Sequence, residues 1–293
     1  ESQIAYDWQS DAYTVTTPAR FARLLGAEAG IEAKTLLPLP EHPFDYQRFI
    51  IQLALDAKKF AAWIDTGLGK TICFREWARQ VVHLTGGRVL ILSPLQIIGQ
   101  TCEMAQRFYG EGLLIERINS REALGDWCKR PGPAIGICNY EKLIVGIMNE
   151  LRYLAGVICD ESSILKTGGG VIKWNLIKSA RGIEYKLSCT ATPAPNDTME
   201  YASQASFLEK LRTEGEILWT FFARDKAGNW RVKPHARKAF YAFMSSWSIY
   251  MRNPVHFGFA DILSTLPAPD IREYAVEITD IQRELMHAFL CRS

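Results

Sequence analysis

The sequence has no C-x-x-C pair, no paired Cys/His spacing and only five histidines. A structural zinc site is therefore not expected. Its seven cysteines are scattered singly. Cys138, Cys159 and Cys189 sit in or beside apolar runs, where cysteine behaves as a small hydrophobe. No disulfide framework is implied, which suits a reducing, intracellular setting. No apolar run is long enough to cross a bilayer, so no membrane association is expected. The N-terminus lacks the charged-then-apolar pattern of a secretory leader, and there is no internal repeat or low-complexity tract. Neither sign of charge dominates: 34 Lys and Arg against 32 Asp and Glu leave a net +2. Nucleic acid is thus not announced globally, and a local basic patch would have to carry it.

What is present is alternation. From 41 to 192 short apolar runs are separated by amphipathic segments. The runs Phe60–Asp65, Arg88–Ser93, Leu113–Ile118, Ala134–Asn139, Leu154–Asp160 and Tyr185–Thr190 predict strands. The stretches Phe44–Ala57, Lys70–His83, Leu95–Tyr109, Arg121–Lys129, Glu141–Leu151 and Val171–Ala180 predict helices. Near-continuous apolar strands between helices specify the α/β class, with a parallel sheet covered on both faces. Ligands of such sheets bind beyond the carboxyl ends of the strands. Upstream, Thr17-Pro18 opens a short helix to about Ala29, and Leu37–Pro40 reads as a linker. Downstream, 256–275 reads as a connector, and Asp280–Phe289 begins another helix.

Two local patterns carry chemistry. The run Thr66-Gly67-Leu68-Gly69-Lys70-Thr71 lies between a strand and a helix. Its glycines let backbone N–H groups converge on phosphate oxygens, and the helix N-terminus adds partial positive charge. Lys70 would reach the β/γ-phosphates and the Thr71 hydroxyl would join Mg²⁺. Ile64 stands where the strict G-x-x-x-x-G-K-[ST] pattern has its first glycine. The second pattern is Asp160-Glu161 at the tip of the apolar run Leu154–Cys159. Asp160 would hold magnesium and Glu161 would accept a proton from attacking water. Phosphoryl transfer needs little beyond such positioning and charge neutralisation.

In order along the chain, Tyr46-Gln47-Arg48, the phosphate loop, Leu92-Ser93-Pro94, Cys138-Asn139-Tyr140-Glu141, the acid pair and Ser188–Pro193 resemble the first RecA-like lobe of a superfamily 2 helicase or translocase. Asp160–Lys166 and Thr192–Asp197 are similar to the Swi/Snf-like branch, especially its small viral and prophage-type members. The resemblance implies a RecA-like P-loop NTPase lobe over 41–205, an accessory segment over 1–40, a basic helical appendage over 206–275, and at 276–293 the start of a connector to a second RecA-like lobe. It further implies ATP and Mg²⁺ as cofactors, with Gln47 reading the adenine edge. Thr190 and Thr192 would couple hydrolysis to a nucleic-acid groove, where Ser93, Pro94, Asn139 and Tyr140 would touch backbone phosphates. A second lobe carrying arginine fingers is expected outside this chain, so ATP turnover by these residues alone is expected to be very slow. Ser162-Ser163 replaces the Ala-His common in that branch, and a serine there can still bond across to Thr190 or Thr192. The implied setting is the cytoplasm of a bacterium or a phage-infected host.

Residues 221–253 mix Phe221, Phe222, Trp230, Phe240, Tyr241, Phe243, Trp247 and Tyr250 with seven cations and a lone Asp225. The aromatics read as the core of a helical subdomain. Lys233, Arg237 and Lys238 read either as phosphate contacts on duplex DNA or as solvated surface charges. The leading expectation is an ATP-hydrolysing motor lobe acting on DNA. A nucleotide-gated interaction module without turnover and an RNA-directed lobe stay open beside it.

Overall fold

The computed structural model describes residues 3–7, 12–16, 36–165, 170–193, 200–211, 214–225 and 230–261. The helices expected at Thr17–Ala29 and Asp280–Phe289 lie outside these residues. The chain divides into two compact units, Glu1–Phe259 and Ala260–Ser293. The second lies almost wholly outside the described residues.

The first unit begins with strands β1 (Gln3–Asp7) and β2 (Ala12–Thr16), an antiparallel pair. Its centre is built from α1 (Asp45–Ala57), β3 (Lys59–Ile64), α2 (Lys70–Thr85), β4 (Arg88–Leu92), α3 (Leu95–Tyr109), β5 (Ile115–Arg117), α4 (Arg121–Lys129), β6 (Ala134–Cys138), β7 (Gly156–Asp160), α5 (Gly170–Ser179) and β8 (Tyr185–Thr190). After these come α6 (Glu200–Phe207), α7 (Glu214–Phe221), the antiparallel pair β9 (Phe222–Arg224) and β10 (Trp230–Val232), α8 (Arg237–Ser245) and β11 (Ser248–Met251).

One seven-stranded sheet in the order β11-β3-β8-β7-β4-β6-β5 runs through the centre, every neighbouring pair parallel. The inner strands β4, β7 and β8 are buried along their whole length, as strands covered on both faces must be. Parallel pairing brings the C-terminal ends of β3, β8, β7, β4 and β6 to one rim, in that order.

Two expectations are corrected. Glu141–Leu151 is not a helix but two 3₁₀ turns, Tyr140–Leu143 and Asn149–Tyr153. The carbonyls a helix would use are claimed elsewhere. Arg121 donates to Lys142, Gly146 and Ile147 carbonyls, and Asn175 donates to Leu143 and Ile144 carbonyls. Residues 206–275 are also not a purely helical appendage, because β11 forms the seventh strand of the sheet beside β3. Trp247 packs edge-on to Trp63 at 5.5 Å, and Phe222, Phe240 and Trp247 join the same apolar cluster as Trp63 and Leu92. Six of the eight aromatics are thus core or packed against it, as expected, but that core is shared with the sheet, and Tyr241 and Tyr250 are exposed. The Leu37–Pro40 linker is fastened to the lobe: Gln80 bonds both Leu37 backbone groups, Arg79 donates to the Pro38 carbonyl and Arg48 to the Pro40 carbonyl.

Candidate active site

Strand β3 runs into the glycine loop, which runs into α2. Gly67 and Gly69 have φ of 81° and 74°, the left-handed region that glycine enters freely. Gly69 also has no room for a side chain, since a Cβ would lie 2.3 Å from Gln47 Nε2. The Leu68 side chain is buried, anchoring the loop. Its carbonyl accepts the Tyr46 hydroxyl at 2.8 Å and Gln47 Nε2 at 3.0 Å. Gln47 Oε1 accepts the Phe44 N–H at 2.9 Å, half of a capping box on α1. The Gln47 Nε2 thus braces the loop while its Oε1 caps α1.

The acid pair faces this loop. Lys70 Nζ stands 3.5 Å from Glu161 Oε2. Thr190, on the strand between, donates to Glu161 Oε1 at 2.8 Å and accepts the Thr192 N–H at 3.1 Å. Glu161 has φ of 56°, a strained conformation for a side-chain-bearing residue that costs on the order of 1–3 kcal/mol and gathers at functional sites. Asp160 is buried, and Ser93 donates to its Oδ2 at 2.8 Å. Burial raises its carboxyl above the ordinary aspartate value, while the Ser93 hydrogen bond and the Lys70 charge pull the other way. A buried carboxylate at a strand tip, beside a lysine and a glycine loop, fits a cation bound with phosphate. Among the described residues, no group of three or more His, Cys, Asp or Glu is arranged to hold a metal.

The residues expected along a nucleic-acid groove divide. The Ser93 side chain is buried and spent on Asp160, so it is not available to a phosphate. The Tyr140 hydroxyl donates to the Asp160 carbonyl and lies 3.3 Å from Cys159 Sγ, and burial pushes it well above the usual tyrosine range. Both hydroxyls support the acid pair from below. The corrected reading follows from position: Ser93 and Tyr140 lie just past the ends of β4 and β6, where both side chains are buried against the Asp160 end of β7. Pro94, Leu95, Asn139, Tyr140 and Glu161 line a groove of about 570 Å³. Asn139 Nδ2 donates to Glu141 at 2.9 Å. In the basic stretch, Lys233 donates to the Trp219 and Thr220 carbonyls at the end of α7, Arg231 lies 3.4 Å from Asp225, and Arg252 lies 3.7 Å from Asp65 beside the phosphate loop. Arg237 and Lys238 are exposed.

Residues 44–200 match the family model of the DEAD/DEAH box helicases. The chain belongs to that family. The chain is also 28% identical over 204 residues to protein p41 of Acyrthosiphon pisum secondary endosymbiont phage 1, a match covering 65% of this chain and 43% of p41. The fold is that of the RecA-like lobe in the Sulfolobus solfataricus SWI2/SNF2 ATPase core. Against that core in complex with dsDNA, the TM-score is 0.58 at 19% identity, covering 74% of this chain and 46% of the other. Against the core domain alone it is 0.57 at 18% identity, covering 76% and 45%. This chain spans less than half the length of each.

Several residues that shape this helicase-family site carried no signal in the sequence. Tyr46 stood beside the noticed Gln47, and only the fold shows that its hydroxyl meets the loop. The Ser162 hydroxyl does not reach across to Thr190 or Thr192 but donates to Gln204 at 3.3 Å. Gln204 lies in α6, past the matched residues, with no motif around it.

Proposed function

We propose that this chain is the ATP-binding motor lobe of a DNA helicase or translocase, which hydrolyses the β–γ bond of ATP with Mg²⁺. The observation that carries the reading is the convergence of the glycine loop, the first turn of α2 and the buried Asp160 on the Lys70–Glu161 pair. Gly67, Gly69 and the first turn of α2 would cradle the phosphates through backbone N–H groups, which have no intrahelical partner there. Lys70 would neutralise the transferred phosphoryl group. Asp160 and Thr71 would hold the metal, with Ser93 fixing the Asp160 carboxylate. Glu161 would take the proton of the attacking water, with Thr190 setting its angle. Bound Mg²⁺ supplies charge neutralisation at the phosphates.

A second RecA-like lobe completes the machine in this reading. It would bring an arginine worth ~10³-fold or more in rate, so the chain alone binds ATP weakly and turns it over very slowly. Duplex DNA as the track is supported by the dsDNA complex of the Sulfolobus ATPase core and by the exposed Arg237 and Lys238. The test is ATP hydrolysis with duplex DNA, single-stranded DNA and RNA, on the chain joined to its second lobe. Stimulation by duplex, lost in Glu161→Gln, is expected. Turnover that survives Glu161→Gln would overturn the assignment of the base.

A further inference from the structure

Gln204 is 1% exposed and holds four groups from four different segments. Its Oε1 accepts Trp63 Nε1 at 2.8 Å, the Ser188 hydroxyl at 2.9 Å and the Ser162 hydroxyl at 3.3 Å. Its Nε2 donates to the Pro193 carbonyl at 2.9 Å. Trp63 belongs to the strand that feeds the phosphate loop, and Ser188 to β8. Ser162 follows the acid pair, and Pro193 follows Thr190-Ala191-Thr192. The amide's orientation is fixed by its partners: three donors demand oxygen on one side, and a carbonyl demands N–H on the other.

We propose that Gln204 is the positioning residue that links the acid-pair turn to the Thr190–Pro193 segment, so that ATP and nucleic acid sense one another through it. This rests on the motor-lobe reading above. A carbonyl oxygen offers two lone pairs, and here three donors compete for it. Trp63 and Ser188 hold the short positions, which leaves the Ser162 bond as the one that breaks first. When the acid-pair turn shifts, Ser162 releases Gln204, and the pull on the Pro193 carbonyl changes with it. The Ser162-Ser163 departure from Ala-His thus has a counterpart in α6. From Ser162 the link runs through a third residue and not through a direct serine–threonine bond.

The test is a coupling measurement on the full chain, which needs no turnover. The affinity for ATP with Mg²⁺ is measured with and without saturating duplex DNA, and the ratio of the two is the coupling. Ligand couplings of this kind commonly fall between about 5- and 150-fold. Gln204→Glu keeps the acceptor for the three donors and replaces only the N–H that faces Pro193. At the alkaline end of a pH series the ionised carboxylate faces the Pro193 carbonyl and the coupling ratio falls to about one. Toward the acid end the buried carboxyl is protonated, its O–H donates in place of the amide, and the ratio returns. Ser162→Ala removes the soft bond from the other side and lowers the ratio without pH rescue. It also carries the test if Gln204→Glu does not fold.

A purely structural role would weaken both ligands and stability together, with no recovery in acid. A wild-type chain that binds neither ATP nor DNA removes the inference along with the motor-lobe reading, and one that binds both without coupling removes the inference alone. A coupled wild type whose ratio is unchanged in both variants across the pH series overturns the role of Gln204 alone.

Discussion

Two lysine–glutamate pairs sit at opposite rims of the sheet, each with its amine 3.5 Å from a carboxylate oxygen. Lys70 and Glu161 lie beyond the C-terminal ends of β3 and β7. Lys186 and Glu209 lie at the other rim, where Lys186 pairs in register with Lys59 at the start of β3. Both glutamates have left-handed backbones, with φ of 56° and 54°. The cavity beside Glu209 is even the larger, about 730 Å³ against 570 Å³. Neither distance, strain nor cavity volume therefore separates a reactive pair from a structural one. What separates them is what else the groups hold. Lys186 is 0% exposed, and its amine donates to the Phe207 carbonyl at 2.9 Å. Glu209 takes Lys59 and the Gly182 N–H as well. That rim closes on itself. At the other, the glycine loop, the first turn of α2 and a buried Asp160 converge on Lys70 and Glu161, and the converging groups are those a phosphate and a cation fill.

The sharpest way to break this comparison is to neutralise each glutamate in turn. Glu161→Gln is expected to lower ATP turnover about 10²- to 10⁴-fold, the usual worth of a general base, while ATP is still retained. Glu209→Gln is expected to leave turnover unchanged. Phosphate release from both variants, measured under the conditions in which wild type turns over, decides it. Equal losses would mean that the two rims do not differ as argued.

A second contrast is thermodynamic. Burial depresses the Lys186 ammonium to about 8, against the attraction of Glu209. Its folded value lies below its unfolded one, so between about pH 8 and 10.5 the unfolded chain holds more protons. This group's contribution to stability then rises with pH across that window, by up to about 3 kcal/mol. Below about pH 8 the burial penalty is present in full. Lys186→Met removes it, and Glu209 keeps Lys59 and the Gly182 N–H. Urea unfolding of the variant is expected to give equal or higher stability at pH 7, with the advantage shrinking as pH rises. An advantage that instead grows with pH would contradict the sign.

The third expected effect is smaller. Ser93→Ala takes away the hydroxyl on Asp160 without touching the loop. Groups that orient a metal's ligand are commonly worth about 10- to 100-fold in affinity or activity. Turnover is expected to fall about tenfold, with more Mg²⁺ needed for half-maximal rate. An unchanged Mg²⁺ dependence would detach Ser93 from the metal site and return it to the groove.

Which of these residues the sequence disclosed depends on range. The glycine loop and the acid pair are short contiguous patterns at the ends of apolar runs, so their element and their chemistry are legible together. The central strands are legible for the same reason, since burial on both faces leaves them apolar throughout. Ser93, Tyr140 and Gln204 owe their roles to partners on other elements, such as Asp160 for Ser93, and no periodicity encodes that. The segment 141–151 reads as helical because nothing local shows that Arg121 and Asn175 take its carbonyls. β11 escapes notice because four residues, Ser248–Met251, are too few to show a period, and only long-range pairing with β3 makes them a strand.

The smallest expected effect lies outside both rims and tests whether cations of the 221–253 stretch resemble Lys70 or Lys186. Lys233 is already engaged with two carbonyls at the end of α7, whereas Arg237 and Lys238 are exposed at the start of α8. If DNA runs over this face, replacing Arg237 and Lys238 by Ala should reduce the slope of log affinity against log salt by at most about 2, close to 0.9 per phosphate contact. Lys233→Ala should leave that slope alone and instead lower the melting temperature, since two helix-end carbonyls lose their donor. Titrations at several salt concentrations separate the cases. A slope that responds to Lys233 as strongly as to Arg237 would show that the carbonyl contacts give way to phosphates on binding. A slope that responds to none of the three would leave the face solvated and move the DNA contacts to the groove beside Glu161.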